Sequence, residues 1–132
     1  MDNNVVLKIM NNVSDDLVAY SYFPSDKLPL GCMQVAEYSF FDWLVVSGAG
    51  SDEPASAIVK QFINQEGGNP ISSVVGFDTK TSPHLAALAN GTISHALDYD
   101  DTHFQHIGHL SAAIFPALLA LGESANKTYF DV

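Results

Sequence analysis

The sequence contains no arginine, only five lysines and a single cysteine. Against those five cations stand fifteen aspartates and glutamates, a formal charge of -10. A surface of that sign repels phosphate backbones, which excludes nucleic acid as a partner. Anionic membrane surfaces are disfavoured for the same reason. Cys32 cannot close an internal disulfide, so this is not a stapled secreted domain. Set among apolar residues without a cationic neighbour, it reads as a buried, inert thiol. Residues 1–12 hold no apolar segment behind a basic start, so no secretory signal is expected. No uninterrupted apolar run reaches membrane length either. The longest, Leu30 to Gly50, is broken by Glu37 and Asp42 and reads as a buried helix. A cytoplasmic protein is the resulting expectation. What the chain has in quantity is apolar side chain: 47% hydrophobic against 15% charged residues excludes disorder. Its 132 residues suffice for one domain with a real core.

Neither repeats nor a Gly/Ser linker divides the chain, and the periodicity is mostly helical. Residues Asn4 to Tyr20 carry Val5, Val6, Ile9, Val13, Leu17 and Val18 at helical spacing, and Phe23-Pro24-Ser25-Asp26 breaks the pattern. Pro29 opens a long helix to Ser47 that is apolar nearly all round, which predicts a central core position. Gly48-Ala49-Gly50 is its expected stop. Within it, Asp42 reads as a buried carboxylate in need of a partner. Ser51 through Pro54 signals the next helix start, with Ser51 as polar cap, and Gly67-Gly68 its end. Ile71 to Phe77 reads as a brief strand. Ser82-Pro83 opens a helix rich in small residues that continues through Leu97. Ser111 is the expected cap of a last apolar helix, Ala112 to Gly122, bent at Pro116. At least five helices and a token of β structure are therefore expected, an all-α fold. The end, residues 126–132, reads as a polar loop leading into a new apolar segment, which suggests a piece of something larger.

The chemistry concentrates in one place. All five histidines lie between His84 and His109, four of them from His95 onward, beside Asp98, Asp100, Asp101 and Thr102. If the helix continued through this window, His95, Asp98 and Thr102 would share a face and Asp100 would point away. The loop Phe104 to Gly108 would then bring His109 to the N-terminus of the Ser111 helix, a favourable place for an anion. Three readings follow from the residues. The acids and histidines are solvated loop and cap groups; or they ligate a metal such as Zn²⁺; or they form an acid–base site in which carboxylates orient histidine or bind substrate. Their spacing matches no standard helical metal motif.

The run Ala89-Asn90-Gly91-Thr92-Ile93-Ser94-His95-Ala96-Leu97-Asp98-Tyr99-Asp100-Asp101-Thr102-His103 resembles the signature of the MmgE/PrpD family, which includes 2-methylcitrate dehydratase and cis-aconitate decarboxylase. Flanking segments agree in order: Asp42-Trp43-Leu44 through Ala49-Gly50, Val74-Val75-Gly76, and Gly108-His109-Leu110-Ser111 through Pro116-Ala117-Leu118. One departure is Leu110, where the family typically has proline. The resemblance implies the opening part of a large helical domain over residues 1–132, without its remainder or the α/β lid domain. It implies a cofactor-independent lyase acting on a small di- or tricarboxylate, with no metal, and a homodimer in full-length form. Dehydration of the 2-methylcitrate kind is the first expectation, with decarboxylation of cis-aconitate or isomerisation as alternatives. Carried over by position, His109 is the expected acid/base, with Asp98 and Thr102 as further catalytic residues. Asp101 and His103 are nearby candidates for substrate binding.

Charge gives an independent constraint. A tricarboxylate does not bind a site lined only by aspartates, because like charges at contact distance repel strongly at low dielectric. No lysine lies between Lys80 and Lys127. The needed counter-charges must come from protonated histidines or from additional sequence, so the isolated chain is expected to be inactive. A function of a different class, a catalytically dead helical assembly module, remains open on these grounds.

Overall fold

A computed structural model describes residues 13–19, 21–104 and 107–128. The expected helix over Asn4 to Tyr20 therefore falls partly outside the described residues, as do the start of the chain, the middle of the 104–108 loop and the end of the 126–132 segment. The chain divides into a unit extending to Val35 and a larger one from Ala36 onward. In the first, residues 13–19 are helical, and the expected break at Phe23-Pro24 leads into a 3-10 turn, Ser25–Lys27. The fold is all-α, as expected. Counting residues 13–19, five α-helical segments are present among the described residues, beside one two-stranded sheet. No described helix is long and apolar enough to cross a membrane.

Helix α1 spans Cys32–Gly50. It begins three residues later than expected because Gly31 adopts φ +93, a left-handed conformation that a right-handed helix cannot include. Nor is it buried all round. Trp43, Val46, Ser47 and Gly50 are its buried residues, a single stripe at i, i+3, i+4 and i+7. Phe41 and Val45 face out, Asp42 is exposed rather than buried, and Cys32 is exposed too. A near-absence of charge gives an apolar helix, but burial needs a partner surface, and only the stripe has one. Gly48, Ala49 and Gly50 belong to the last turn instead of stopping it. Gly50 has a packing role: a Cβ there would run into the carbonyl oxygen of Ile93.

Helix α2, Pro54–Glu66, buries Ser56, Val59 and Ile63 and stops at Gly67, φ +72, as its glycines predict. Ser51 does not cap it. The Ser51 hydroxyl turns back to donate to the Gly48 carbonyl, and Glu53 occupies the cap position. The expected strand shortens to β1, Ser72–Ser73, paired antiparallel with β2, Lys80–Thr81. Gly76, φ +81, turns the chain instead of extending it. This hairpin is clipped to helix α3, Pro83–Ser94, by fully buried Asn90. Its Oδ1 accepts from the Val75 N–H at 2.8 Å and its amide donates to the Ser73 carbonyl at 3.0 Å.

Helix α4, Ser111–Ser124, packs along α3. Small residues permit close approach there: the position of a Cβ on Gly91 lies 3.3 Å from the Ala112 carbonyl oxygen. Phe40 and Trp43 of α1 meet Phe115 of α4, with ring centroids 5.3–5.9 Å apart. At the far end of α4, Glu123 accepts from the Ser73 N–H and hydroxyl and pairs with Lys80 at 3.5 Å. The core comprises Val59, Ile63, Val74, Leu85, Ala86, Ala89, Ile93 and Ala120, with α3 contributing four of the eight. That central helix ends where the histidine–aspartate cluster begins.

Candidate functional site

The C-terminal end of α3 is the base of the site. The helix closes at Ser94 with His95 as its cap residue, so the window from His95 to Thr102 is not helical. Asp98 then adopts φ +55, a left-handed step that aspartate tolerates better than most residues. This reverses the expectation about faces. Asp100, expected to point away, is carried inward, with its side chain fully buried.

Around that buried carboxylate stand two imidazoles. His95 Nδ1 lies 3.0 and 3.2 Å from the two Asp100 oxygens. His109 Nδ1 lies 3.2 Å from the Asp100 backbone carbonyl and 3.4 Å from its Oδ2. The two rings are 4.8 Å apart between centroids. On its outer side, His109 presents Nε2 to Asp98 Oδ1 at 3.5 Å. Asp98 is largely exposed and His109 mostly covered, at 78% and 28% of their side-chain surface. The site is thus layered, from a buried carboxyl group through two histidines to a solvent-facing carboxylate.

The loop that returns the chain to His109 is closed by backbone pairing. His103 N–H donates to the Gly108 carbonyl at 2.9 Å, and Ile107 N–H to the His103 carbonyl at 2.7 Å. His109 therefore stands two residues before α4, close to its expected place. Helix α4 receives its cap from a distance. Asp101 Oδ1 accepts from the Ser111 N–H at 3.0 Å, so Ser111 is the first helical residue and not the cap. A carboxylate there also suits the positive end of the helix dipole. Replacing Asp101 with alanine should lower stability by about 0.5–2 kcal/mol, the usual cost of a lost cap, read from thermal melts. Leu110 has φ -75 and ψ -42, a φ that proline also adopts, so leucine keeps the backbone shape at this position.

Of the sequence-derived residues, Asp98 and His109 come together, Asp101 holds the helix that follows, and Thr102 and His103 lie exposed on the loop between them. Sequence reasoning placed His95 on the face of Asp98 and Thr102 without giving it a role, and set Asp100 on the opposite face. The available signal was the density of aspartates after Leu97, since aspartate competes for backbone hydrogen bonds and disfavours helix interiors. His84 sits in the first turn of α3, at the opposite end of that helix, near Ser82. For a metal, the relevant set is His95, Asp98, Asp100 and His109, whose ligand atoms lie within 4.8 Å of one another. In the observed arrangement Nδ1 of both rings is engaged by Asp100, which gives a hydrogen-bonded network. An open, apolar groove between α3 and α4 runs beside His95, lined by Leu88, Gly91, Thr92, Ala96, Ala112 and Pro116 among others.

The sequence profile of the MmgE/PrpD N-terminal domain matches residues 20–132. A cis-aconitate decarboxylase-like protein, oryM, of Aspergillus oryzae is 28% identical over 126 residues, covering 96% of this chain and 25% of its own length. A cis-aconitate decarboxylase of Aspergillus terreus is 25% identical over 103 residues, 78% of this chain and 21% of its own length. The chain thus spans about a quarter of the length of these curated relatives.

Proposed function

Because the chain belongs to the MmgE/PrpD family through its N-terminal domain, we propose that it carries the histidine–aspartate part of a lyase site for a small di- or tricarboxylate. The observation that carries this reading is the contact of His109 Nε2 with Asp98 at the mouth, while Nδ1 of the same ring is held from behind. A neutral imidazole so held has its lone pair on the outward nitrogen, which is the atom a general base requires. Once protonated, the same atom is a general acid, and Asp98 beside it stabilises the imidazolium.

Two reactions use that proton port. In decarboxylation, a carbon–carbon bond breaks, CO₂ leaves, and the electron pair left on the substrate takes a proton from His109. In dehydration, His109 takes a proton from carbon while hydroxide leaves with a proton from an acid. The names of the relatives favour decarboxylation of a cis-aconitate-like substrate, and dehydration of a 2-methylcitrate-like one is the alternative. Thr102 and His103, on the open loop, are assigned to substrate contact. Asp101 bears on substrate binding by fixing the start of α4.

The charge balance separates the chain from the whole enzyme. Lys60 lies over the Phe77 ring at 4.2 Å and Lys80 is paired with Glu123, so neither serves a polyanion beside Asp98. The cations for substrate carboxylates are therefore assigned to the rest of a full-length protein. The test compares this chain with the chain completed to family length, each incubated with cis-aconitate and with 2-methylcitrate. The completed protein should release CO₂ from the first or dehydrate the second, and the 132-residue chain should do neither. Loss of activity on chelation, restored by a divalent ion, would favour the metal reading. No turnover of either substrate by the completed protein would favour an assembly role.

A further inference from the structure

Asp100 belongs to neither the catalytic nor the substrate-binding set, yet it is the one fully buried side chain in the cluster. We infer that Asp100 is a positioning residue, a shared acceptor that fixes both His95 and His109 with the proton on Nδ1. The argument is geometric. Nδ1 of His95 faces two carboxylate oxygens, and Nδ1 of His109 faces a carboxylate oxygen and a carbonyl oxygen. The three Asp100 oxygens, Oδ1, Oδ2 and the backbone carbonyl, are all acceptors, so each Nδ1 is a donor. Asp98 Oδ1 also faces His109 Nε2, but at 3.5 Å against 3.2 Å for the Nδ1 contact. In the neutral ring the proton therefore stays on Nδ1 and Nε2 keeps its lone pair. A buried carboxylate needs such donors. The imidazoles need it equally, because without a partner neither the ring rotation nor the tautomer is set. The left-handed step at Asp98 makes the arrangement possible by turning Asp100 inward and leaving Asp98 at the mouth. The consequence for catalysis rests on the proton-transfer reading of His109. The tautomer assignment does not.

The test reads the imidazole nitrogens of the ¹⁵N-labelled 132-residue chain by NMR, at pH about 8, above the ordinary histidine range. In the wild type, His95 and His109 should both show protonated Nδ1 and unprotonated Nε2, the tautomer that a free histidine side chain disfavours. Asp100→Asn keeps the shape but offers its oxygen to only one ring, while its NH₂ opposes the proton on the other. At least one of the two rings should then move its proton to Nε2. Glu123→Gln weakens the remote Ser73 network and should leave both tautomers unchanged. A wild-type ring protonated on Nε2, or a folded Asp100→Asn protein with both tautomers intact, overturns the inference. If that variant does not fold, the wild-type spectrum decides alone. In the completed enzyme, Asp100→Asn should lower kcat by roughly tenfold or more, with KM changed far less. Correct tautomers with unimpaired turnover by His109→Gln would reject the proton-transfer reading and leave the positioning role standing. Wrong tautomers with an inactive His109→Gln would do the reverse.

Discussion

Replacing His109 with glutamine, in the chain completed to family length, is expected to lower kcat by roughly 10²–10⁴-fold, the range lost with a general acid–base group. Glutamine retains a polar end that can still donate to the Asp100 carbonyl, so the loop and the start of α4 should keep their shape. It cannot take up and release a proton at the position of Nε2. Substrate binding should change much less than turnover, because charge recognition is assigned to other groups. Asp98→Asn should also impair turnover, since an amide does not stabilise the imidazolium as a carboxylate does. Initial rates over a range of substrate concentrations separate the two effects. A large rise in KM at constant kcat would make His109 a binding residue.

The second large effect concerns the frame that holds the site. Ile93 is fully buried in α3, two residues before His95, and its carbonyl abuts Gly50 of α1. Ile93→Ala should cost about 2–5 kcal/mol, the range for truncating a buried isoleucine. That is a fall in Tm on the order of 10 °C for a domain of this size. Phe41 is larger, but 68% of its surface is exposed on the outward side of α1. Phe41→Ser in the same chain should change stability by no more than about 0.5 kcal/mol. Thermal melts of the two variants therefore test whether α1 is buried on a stripe or all round. Equal losses would restore the central-helix picture.

The helices were legible wherever local chemistry marks them. Pro54 and Gly67 bracket α2, and Pro83 starts α3, because a proline at a helix start and a glycine after its end act through their own backbone. Three start or cap signals failed for the opposite reason. Pro29 looked like a helix start, but the left-handed Gly31 behind it delays α1 to Cys32. Ser51 and Ser111 looked like caps, yet one bonds backward and the other is capped by Asp101 from ten residues upstream. Burial was less legible than helicity. Asp42 and Cys32 lie in an apolar helix and are nevertheless exposed, because composition does not say which face finds a partner.

At the site, the family resemblance named Asp98 and His109, which the fold brings within 3.5 Å of each other, while the spacing gave the wrong local geometry. No glycine or proline marks the end of α3 at Ser94. Extending the helical rotation through Asp98 therefore placed Asp100 on the far side and set His95 beside Asp98 and Thr102 instead. The helix end at Ser94 and the left-handed step at Asp98 together account for the difference. Contacts that depend on such a step, or on a loop closing between His103 and Gly108, are set by tertiary structure and have no periodic trace.

The central claim is that His109 moves the proton, and solvent isotope incorporation tests it most directly. The completed enzyme is incubated with its substrate in D₂O, and the deuterium content of product and recovered substrate is measured by mass spectrometry. In decarboxylation, wild type should incorporate deuterium at one product carbon in step with turnover; in dehydration, exchange should appear in the recovered substrate instead. His109→Gln should lose that incorporation as it loses turnover, while Glu123→Gln, remote from the cluster, should retain both. Deuterium incorporation by His109→Gln at the wild-type rate would contradict the account and move the proton-transfer role to another residue.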